Sequence, residues 1–219
     1  MHIISVNVGM PREVVWREVT VRTSIFKDPV DGPVKVRRLN LDGDRQADLT
    51  VHGGAYKAVY GYASEHYEYW REQLPEIQLG WGNFGENLTT TGLREDELFI
   101  GDRLRAGSAV LMVAQPRMPC YKLGVRFQRD DMVKRFLASR RNGFYFSVVE
   151  EGEISAGSAV EFLSRDPHRV SVADLVSLYA DHPRDPQLVE RALRVSALPQ
   201  SWKRWLQERV QEDSAKTEH

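Results

Sequence analysis

The chain has 219 residues, enough for one large domain or a large domain with a small companion, and its 42% apolar and 28% charged residues are those of an ordinary globular protein. Its 30 Lys and Arg nearly cancel 31 Asp and Glu, so no overall charge marks a nucleic-acid-binding protein, and any anionic ligand must be met by a local cluster. The single cysteine excludes an internal disulfide, and no apolar run approaches the roughly 18 residues that would span a bilayer.

No signal peptide precedes the first strand-like run, Ile3-Ile4-Ser5-Val6-Asn7-Val8, and a reducing cytoplasm is the expected compartment. Residues 1–165 read as short strands punctuated by glycine. Ile3 to Val8, Val14 to Arg22 and Val34 to Leu39 are rich in Val, Ile and Thr, with turns at Asp31-Gly32-Pro33 and Asp42-Gly43-Asp44. Ala58 to Tyr62 is another strand. Behind it Ser64 is placed to cap a helix carrying Tyr67, Trp70, Arg71 and Leu74 and ending at Pro75. An internal echo, Ala-Gly-Ser-Ala-Val at Ala106 to Val110 and again at Ala156 to Val160, predicts two related glycine-centred hairpins or bulges in a sandwich or barrel. Between them Asp130 to Arg140 reads as a helix and Gly143 to Val149 as a buried strand.

After Asp166-Pro167 the apolar period changes from two to about 3.6. Ser171 caps a helix presenting Val172, Leu175, Val176 and Tyr179, Asp185-Pro186 opens a second, and Pro199 with Ser201 opens a third with Trp202, Trp205, Leu206 and Val210 on one stripe. The resulting fold class is α+β, mainly β, with a three-helix segment over 166–213. The Trp pair is expected in a core or an interface. The tail from Gln211 is polar and aperiodic, and 214–219 are expected to be disordered.

Three constellations carry chemistry. Gln115-Pro116-Arg117-Met118-Pro119-Cys120-Tyr121-Lys122-Leu123 places the one thiol after two prolines and between two cations, which favour the thiolate that binds metals or attacks electrophiles. A lone cysteine is by default a small buried hydrophobe. A sulfur ligand beside Arg117 and Lys122 suits a soft metal carried by an anionic organic cofactor. Val51-His52-Gly53-Gly54-Ala55-Tyr56-Lys57 offers backbone amides and a cation to anionic oxygens, or is simply a turn between strands. Gly85-Glu86-Asn87 supplies acceptors and donors that could read an amide-like edge, or is a turn before a strand. Cys120 with His52 as nucleophile and base, and a His52, His66 and Asp48 metal cluster, are two other chemistries. Neither has the supporting spacing.

The ordered set Gly43-Asp44-Arg45-Gln46-Ala47-Asp48, Val51-His52-Gly53-Gly54 with Lys57-Ala58, Glu65-His66-Tyr67-Glu68-Tyr69-Trp70, Phe84-Gly85-Glu86-Asn87-Leu88, Ile100-Gly101-Asp102 and Gln115 to Leu123 resembles the MOSC domain family, most closely its YiiM-like branch. The resemblance covers nearly the whole chain. It implies a MOSC-type β-barrel over 1–165 that binds molybdenum cofactor, with Cys120 as the metal ligand and catalytic residue. It further implies reduction of N-hydroxylated compounds, such as 6-hydroxylaminopurine base analogues, to amines. His52, Gly53, Gly54 and Lys57 would border the cofactor, Lys57 and Arg117 would meet its phosphate or pterin oxygens with Lys122 nearby, and Glu86 and Asn87 would bind the pterin edge or gate the substrate. The implied partners are a small N-hydroxylated substrate and a separate electron-transfer protein, with no nucleic acid or membrane and with a homodimer left open. Ala55-Tyr56 departs from the branch, which has a Pro-Asp pair there. The rival reading is a non-catalytic module that carries cofactor, or carries sulfur as a Cys120 persulfide; a third makes the terminal helices a partner-binding device on a structural barrel.

Overall fold

The computed structural model describes residues 1–48, 53–181 and 185–217, with side chains to residue 211. In chain order the elements are β1 (His2–Val8), β2 (Arg12–Trp16), β3 (Val19–Thr23), β4 (Asp28–Val30), β5 (Val34–Val36), a 3-10 turn (Ala55–Lys57), β6 (Val59–Ala63), α1 (His66–Gln73), β7 (Leu88–Thr91), β8 (Arg103–Ala106), β9 (Ala109–Pro116), α2 (Tyr121–Phe127), α3 (Met132–Ser139), β10 (Phe144–Glu150), β11 (Gly152–Ile154), β12 (Val160–Ser164), α4 (Val172–Ala180), α5 (Pro186–Arg194) and α6 (Gln200–Thr217).

Eight strands form one sheet in the order β12-β8-β9-β10-β6-β7-β1-β4, antiparallel except for the parallel pair β6 and β7. The α+β class stands, but the expected closed barrel does not. β12 and β4 are edges, and the sheet curls only far enough for the start of β1 to meet the turn before β12. There His2 bridges Ala159, and the Ile3 amide donates to the Ser158 carbonyl at 2.9 Å. β5 pairs with β11 outside this sheet, which draws strand length away from a complete circuit. The sequence echo is real in three dimensions: its first copy is the β8–β9 hairpin, its second leads into β12, and Val160 pairs with Ala106.

Three local expectations change. Val14 to Arg22 is not one strand but the β2–β3 hairpin, turned at Arg17 and Glu18 with φ of 50° and 64°. No glycine or asparagine marks that turn, so composition hid it. Ser64 does not cap α1 with its hydroxyl, which goes to Glu65 instead; α1 begins at His66 behind Glu65. α2 follows Cys120 directly. Its Gly124 obscures the helix in the sequence, yet a Cβ there would meet the Arg129 carbonyl oxygen at 2.8 Å.

The described residues form two apolar clusters. One lies against β6, α1, α2 and α3 and is largely aromatic: Trp70 and Phe136 stack at 5.7 Å, and Trp70 donates its indole N–H to the Tyr62 hydroxyl at 2.7 Å. The larger cluster joins the sheet to the terminal helices, with Leu111 and Val113 of β9 in the same core as Leu175, Val189, Ala192, Trp202 and Leu206. β9 is thus buried on both faces, and the helical segment is packed on its own sheet. The helix starts follow the sequence. Ser171 and Asp174 form a reciprocal capping box, and the Asp185 carboxylate accepts from the Leu188 amide at 3.0 Å with Pro186 in the first turn. α6 continues to Thr217, into residues expected to be disordered, because neither glycine nor proline interrupts it. No helix among the described residues is long and apolar enough to cross a membrane.

Candidate active site at Cys120

β9 delivers the cysteine loop. Its last pairs with β10 are Gln115 with Tyr145 and Pro116 with Phe144, after which Pro116 and Pro119 remove the donors that would continue the ladder. Two hydrogen bonds then pin the loop. The Arg117 backbone amide donates to the Gly143 carbonyl at 3.2 Å, and the buried Asn142 side-chain amide donates to the Arg117 carbonyl at 3.0 Å. Cys120 is extended, partly exposed, and stands immediately before the first turn of α2.

Two cavities meet at this residue. The first, of about 650 Å³, lies on the sheet side and is lined by Lys27, Arg45, Lys57, Arg117 and Lys122 against the single carboxylate of Asp44. The second, of about 920 Å³, lies toward the helices and is lined by Tyr179, Trp202 and Trp205 with Pro116 and Pro119. Lys57, Met118, Cys120 and Tyr145 border both.

The sheet-side cavity is held open by a buried polar frame. Asp44 pairs with Lys27, accepts from the Gly9 amide at 2.8 Å, and accepts from the Asn87 side chain at 3.0 Å. Asn87 in turn accepts from the Tyr60 amide at 3.1 Å, so it lines the cavity while its amide is committed to the frame. Asp44 balances the charge of Lys27; Arg45, Arg117 and Lys122 add further cations to the cavity lining, which Lys57 also shares. Burial lowers the Lys57 pKa below the usual lysine range, with Cys120 opposing that shift. Arg117 is only 5% exposed, sits 5.4 Å from the Tyr60 ring centre and 5.0 Å from that of Phe136, and among the described residues its Nη1 has no hydrogen-bond partner. A buried guanidinium N–H without an acceptor in a cation-lined cavity fits an anionic oxygen. Burial also raises Tyr145, and Arg117 beside it opposes that rise.

The predicted residues divide. Cys120, Lys57, Arg117, Lys122 and Asn87 converge on the sheet-side cavity. Gly53 and Gly54 precede the Ala55–Lys57 turn, where Gly54 has a φ of 98° that disfavours a side chain and its carbonyl accepts from the Lys57 amide at 3.0 Å. His52 lies outside the described residues, so the His52 chemistries have no geometry here. His66 instead pairs with Glu95 at 2.7 Å, and among the described residues no three His, Cys, Asp or Glu are grouped to hold a metal. Glu86 is a correction. It is fully buried and turned away from the cavity, accepting from the Gly82 amide at 2.9 Å, the Phe84 amide at 3.1 Å, the Thr89 hydroxyl at 3.0 Å and the Tyr67 hydroxyl. Its carboxylate braces the turn that presents Asn87. At Ala55-Tyr56 the turn is tied to β9 through its backbone, since the Gln115 side-chain amide donates to the Tyr56 carbonyl at 2.9 Å.

Sequence reasoning passed over the aromatic wall. Tyr179 and Trp205 stack at 5.4 Å and Trp202 meets Trp205 edge-on at 5.6 Å; Trp202 is core as expected, yet it also lines the cavity and donates to Gln115 Oε1 at 2.9 Å. The helical stripe was visible; its approach to Cys120 needed the fold.

Comparison with known proteins agrees along most of the chain. Residues 48–161 match the model of the MOSC domain, and 170–213 match that of the YiiM-like 3-alpha helix domain. Protein YiiM of Escherichia coli is 38% identical over 189 residues, 85% of this chain and 84% of its own length. A Gibberella moniliformis protein named Reductase is 36% identical over 158 residues, which are 71% of this chain and 28% of that longer protein. The crystal structure of YiiM from Geobacillus stearothermophilus superposes with a TM-score of 0.79 at 33% identity, covering 95% of this chain and 98% of that one.

Proposed function

Since this chain belongs to the MOSC domain family and carries the YiiM-like 3-alpha helix domain, we propose that it is an oxidoreductase that binds molybdenum cofactor through Cys120 and reduces N-hydroxylated compounds, 6-hydroxylaminopurine among them, to amines. The observation that carries the reading is the junction at Cys120: one partly exposed cysteine between a cation-lined cavity, where an Arg117 N–H has no partner among the described residues, and a second cavity open to a substrate. With no cluster of protein ligands among the described residues, a metal at this sulfur would arrive with ligands of its own.

The reaction takes two electrons and two protons, breaks the N–O bond and yields the amine and water. When bound, the cofactor supplies the two-electron oxygen-accepting chemistry, and a separate electron-transfer protein restores its electrons. The remaining work falls to the chain. Arg117, Lys57 and Lys122 hold anionic oxygens, the Asp44 and Asn87 frame keeps that cavity in shape, and Cys120 fixes the metal. Lys57 lines both cavities beside Cys120, which places a proton donor within the same space as the departing oxygen. A reducing cytoplasm would keep the lone thiol available.

Protein produced in cofactor-competent cells should contain molybdenum and pterin in near-stoichiometric amounts and reduce 6-hydroxylaminopurine with a competent electron donor. Cys120→Ala should lose the metal and the activity together, as measured by elemental analysis and product chromatography. Full activity in that variant would remove the mechanism. Persulfide on Cys120 of wild-type protein that holds cofactor yet turns over no hydroxylamine would replace it with the carrier reading.

A further inference from the structure

We propose that the terminal helices build the specificity subsite of this reaction, with Trp205 and Tyr179 forming a stacking wall for a planar heteroaromatic ring whose N–OH group then reaches Cys120. The inference rests on the reductase reading above and adds where the ring sits and what selects it.

Three observations support it. First, the helix-side cavity is continuous with the thiol: Cys120, Lys57, Met118 and Tyr145 line it together with Tyr179, Trp202 and Trp205. Second, two of the three rings are not sealed as a core would be. Trp202 is 8% exposed and anchored by its N–H to Gln115, whereas Tyr179 is 41% exposed and Trp205 is half-buried. Tyr179 and Trp205 stack on one another with their planes 30° apart and still present surface to the cavity. Third, Pro116 and Pro119 line the same cavity with Lys57 as its one lining cation, so a flat ring entering the space meets rigid apolar side chains besides the aromatic faces and a single cation near Cys120. Indole and phenol faces bind heteroaromatic rings with little dependence on substituents, because every such ring offers a π-face. The position of the rings favours a substrate over the cofactor, since the anion-holding groups Arg117 and Lys122 line the other cavity and not this one.

The test uses the full-length holoprotein and the variants Trp205→Ala and Trp205→Phe. Adenine, a planar ring that cannot be reduced, serves as the binding probe by calorimetry. N-hydroxyurea and 6-hydroxylaminopurine serve as a small and a planar substrate for turnover. Loss of one ring face should weaken adenine binding and raise KM for 6-hydroxylaminopurine by about tenfold in Trp205→Ala. Molybdenum content, kcat and the kinetics of N-hydroxyurea should stay at wild-type values, and Trp205→Phe should recover most of the binding. Equal adenine binding by wild type and Trp205→Ala, or equal losses on both substrates, overturns the subsite. If adenine binding depends on Trp205 but neither hydroxylamine is reduced, the subsite stands and the reductase reading falls.

Discussion

On the sheet side of Cys120, shape is maintained by buried hydrogen bonds among fixed partners: Lys27 to Asp44, Asn87 to Asp44, Gly9 to Asp44, and behind them Glu86 to two backbone amides. On the helix side it is maintained by ring faces, with the Trp202 to Gln115 bond as an anchor. Reshaping the first wall leaves a buried donor or acceptor unpaired at a cost of about 1–3 kcal/mol each. Sliding one ring over another costs far less, because contact between faces is not directional to the same degree. The first wall therefore suits one unchanging, charged ligand and the second suits a family of related rings. Both share Cys120, so the same sulfur faces a rigid polar cradle and a tolerant apolar one.

The sharpest way to break that contrast is to remove the charge from the rigid wall while keeping its packing. Arg117→Met retains apolar contact with Tyr60 and Phe136 and both hydrogen bonds that pin the loop, and removes the N–H that has no partner among the described residues. Hydrogen bonds to charged groups are worth about 1.5–3 kcal/mol, so cofactor retention should fall roughly 10- to 150-fold. Molybdenum and pterin per chain after dialysis measure the loss, and the thermal midpoint of the cofactor-free protein should hold near wild type. Unchanged retention would mean that the cation-lined cavity is not where the anion sits.

A smaller effect should come from the brace behind that wall. Glu86→Gln places an amide N–H against donors, leaving one of Gly82, Phe84, Tyr67 or Thr89 without its acceptor, and should destabilise the fold by about 1–3 kcal/mol in urea. Burial is the largest influence on Glu86 and raises its pKa above the ordinary 4.5, while its donors pull the other way. The folded chain thus binds the Glu86 proton more tightly than the unfolded chain does. That stabilisation is complete below pH 4.5 and is lost as pH rises through the folded value. The deficit of Glu86→Gln relative to wild type should therefore narrow as pH climbs above 4.5, and a widening deficit would show that the carboxylate is ionised in the fold at all these pH values.

What the sequence disclosed about these walls followed the range of the interactions. Ser171 with Asp174, and Asp185 with Pro186, are contained within four residues, and both helix starts were legible. Cys120, Arg117 and Lys122 stand in one segment and converge as expected. Lys27 finds Asp44 across 17 positions and Trp202 finds Gln115 across 87, so no window of sequence contains either pair, and the aromatic wall was read only as a helical stripe. Glu86 illustrates the opposite error. Its residue type and glycine neighbour suit a ligand or a turn equally, and only the direction of its carboxylate, toward the Gly82 and Phe84 amides, decides between them. The closed barrel failed for a related reason: strand propensity gives the number of strands but not that β5 would pair with β11 and leave the main sheet open.

The smallest effect lies away from both walls, and it asks whether stability can be gained without touching either. The β2–β3 hairpin turns on Arg17 and Glu18, both in the left-handed region that a side chain disfavours, and among the two Arg17 holds a surface ion pair with Asp130. Glycine at the second position of such a turn relieves that strain. It also loosens the unfolded chain, which takes back part of the gain. Glu18→Gly should therefore stabilise the protein by about 0.5–1 kcal/mol, a rise in thermal midpoint of roughly 1–4 °C for a chain of this size. Because Thr23, Ser24 and Ile25 carry the hairpin into the rim of the sheet-side cavity, cofactor content is the informative second reading. Unchanged molybdenum alongside the higher midpoint would show that the cradle is set by its own hydrogen bonds, while a drop would mean that the strained turn helps to position the rim.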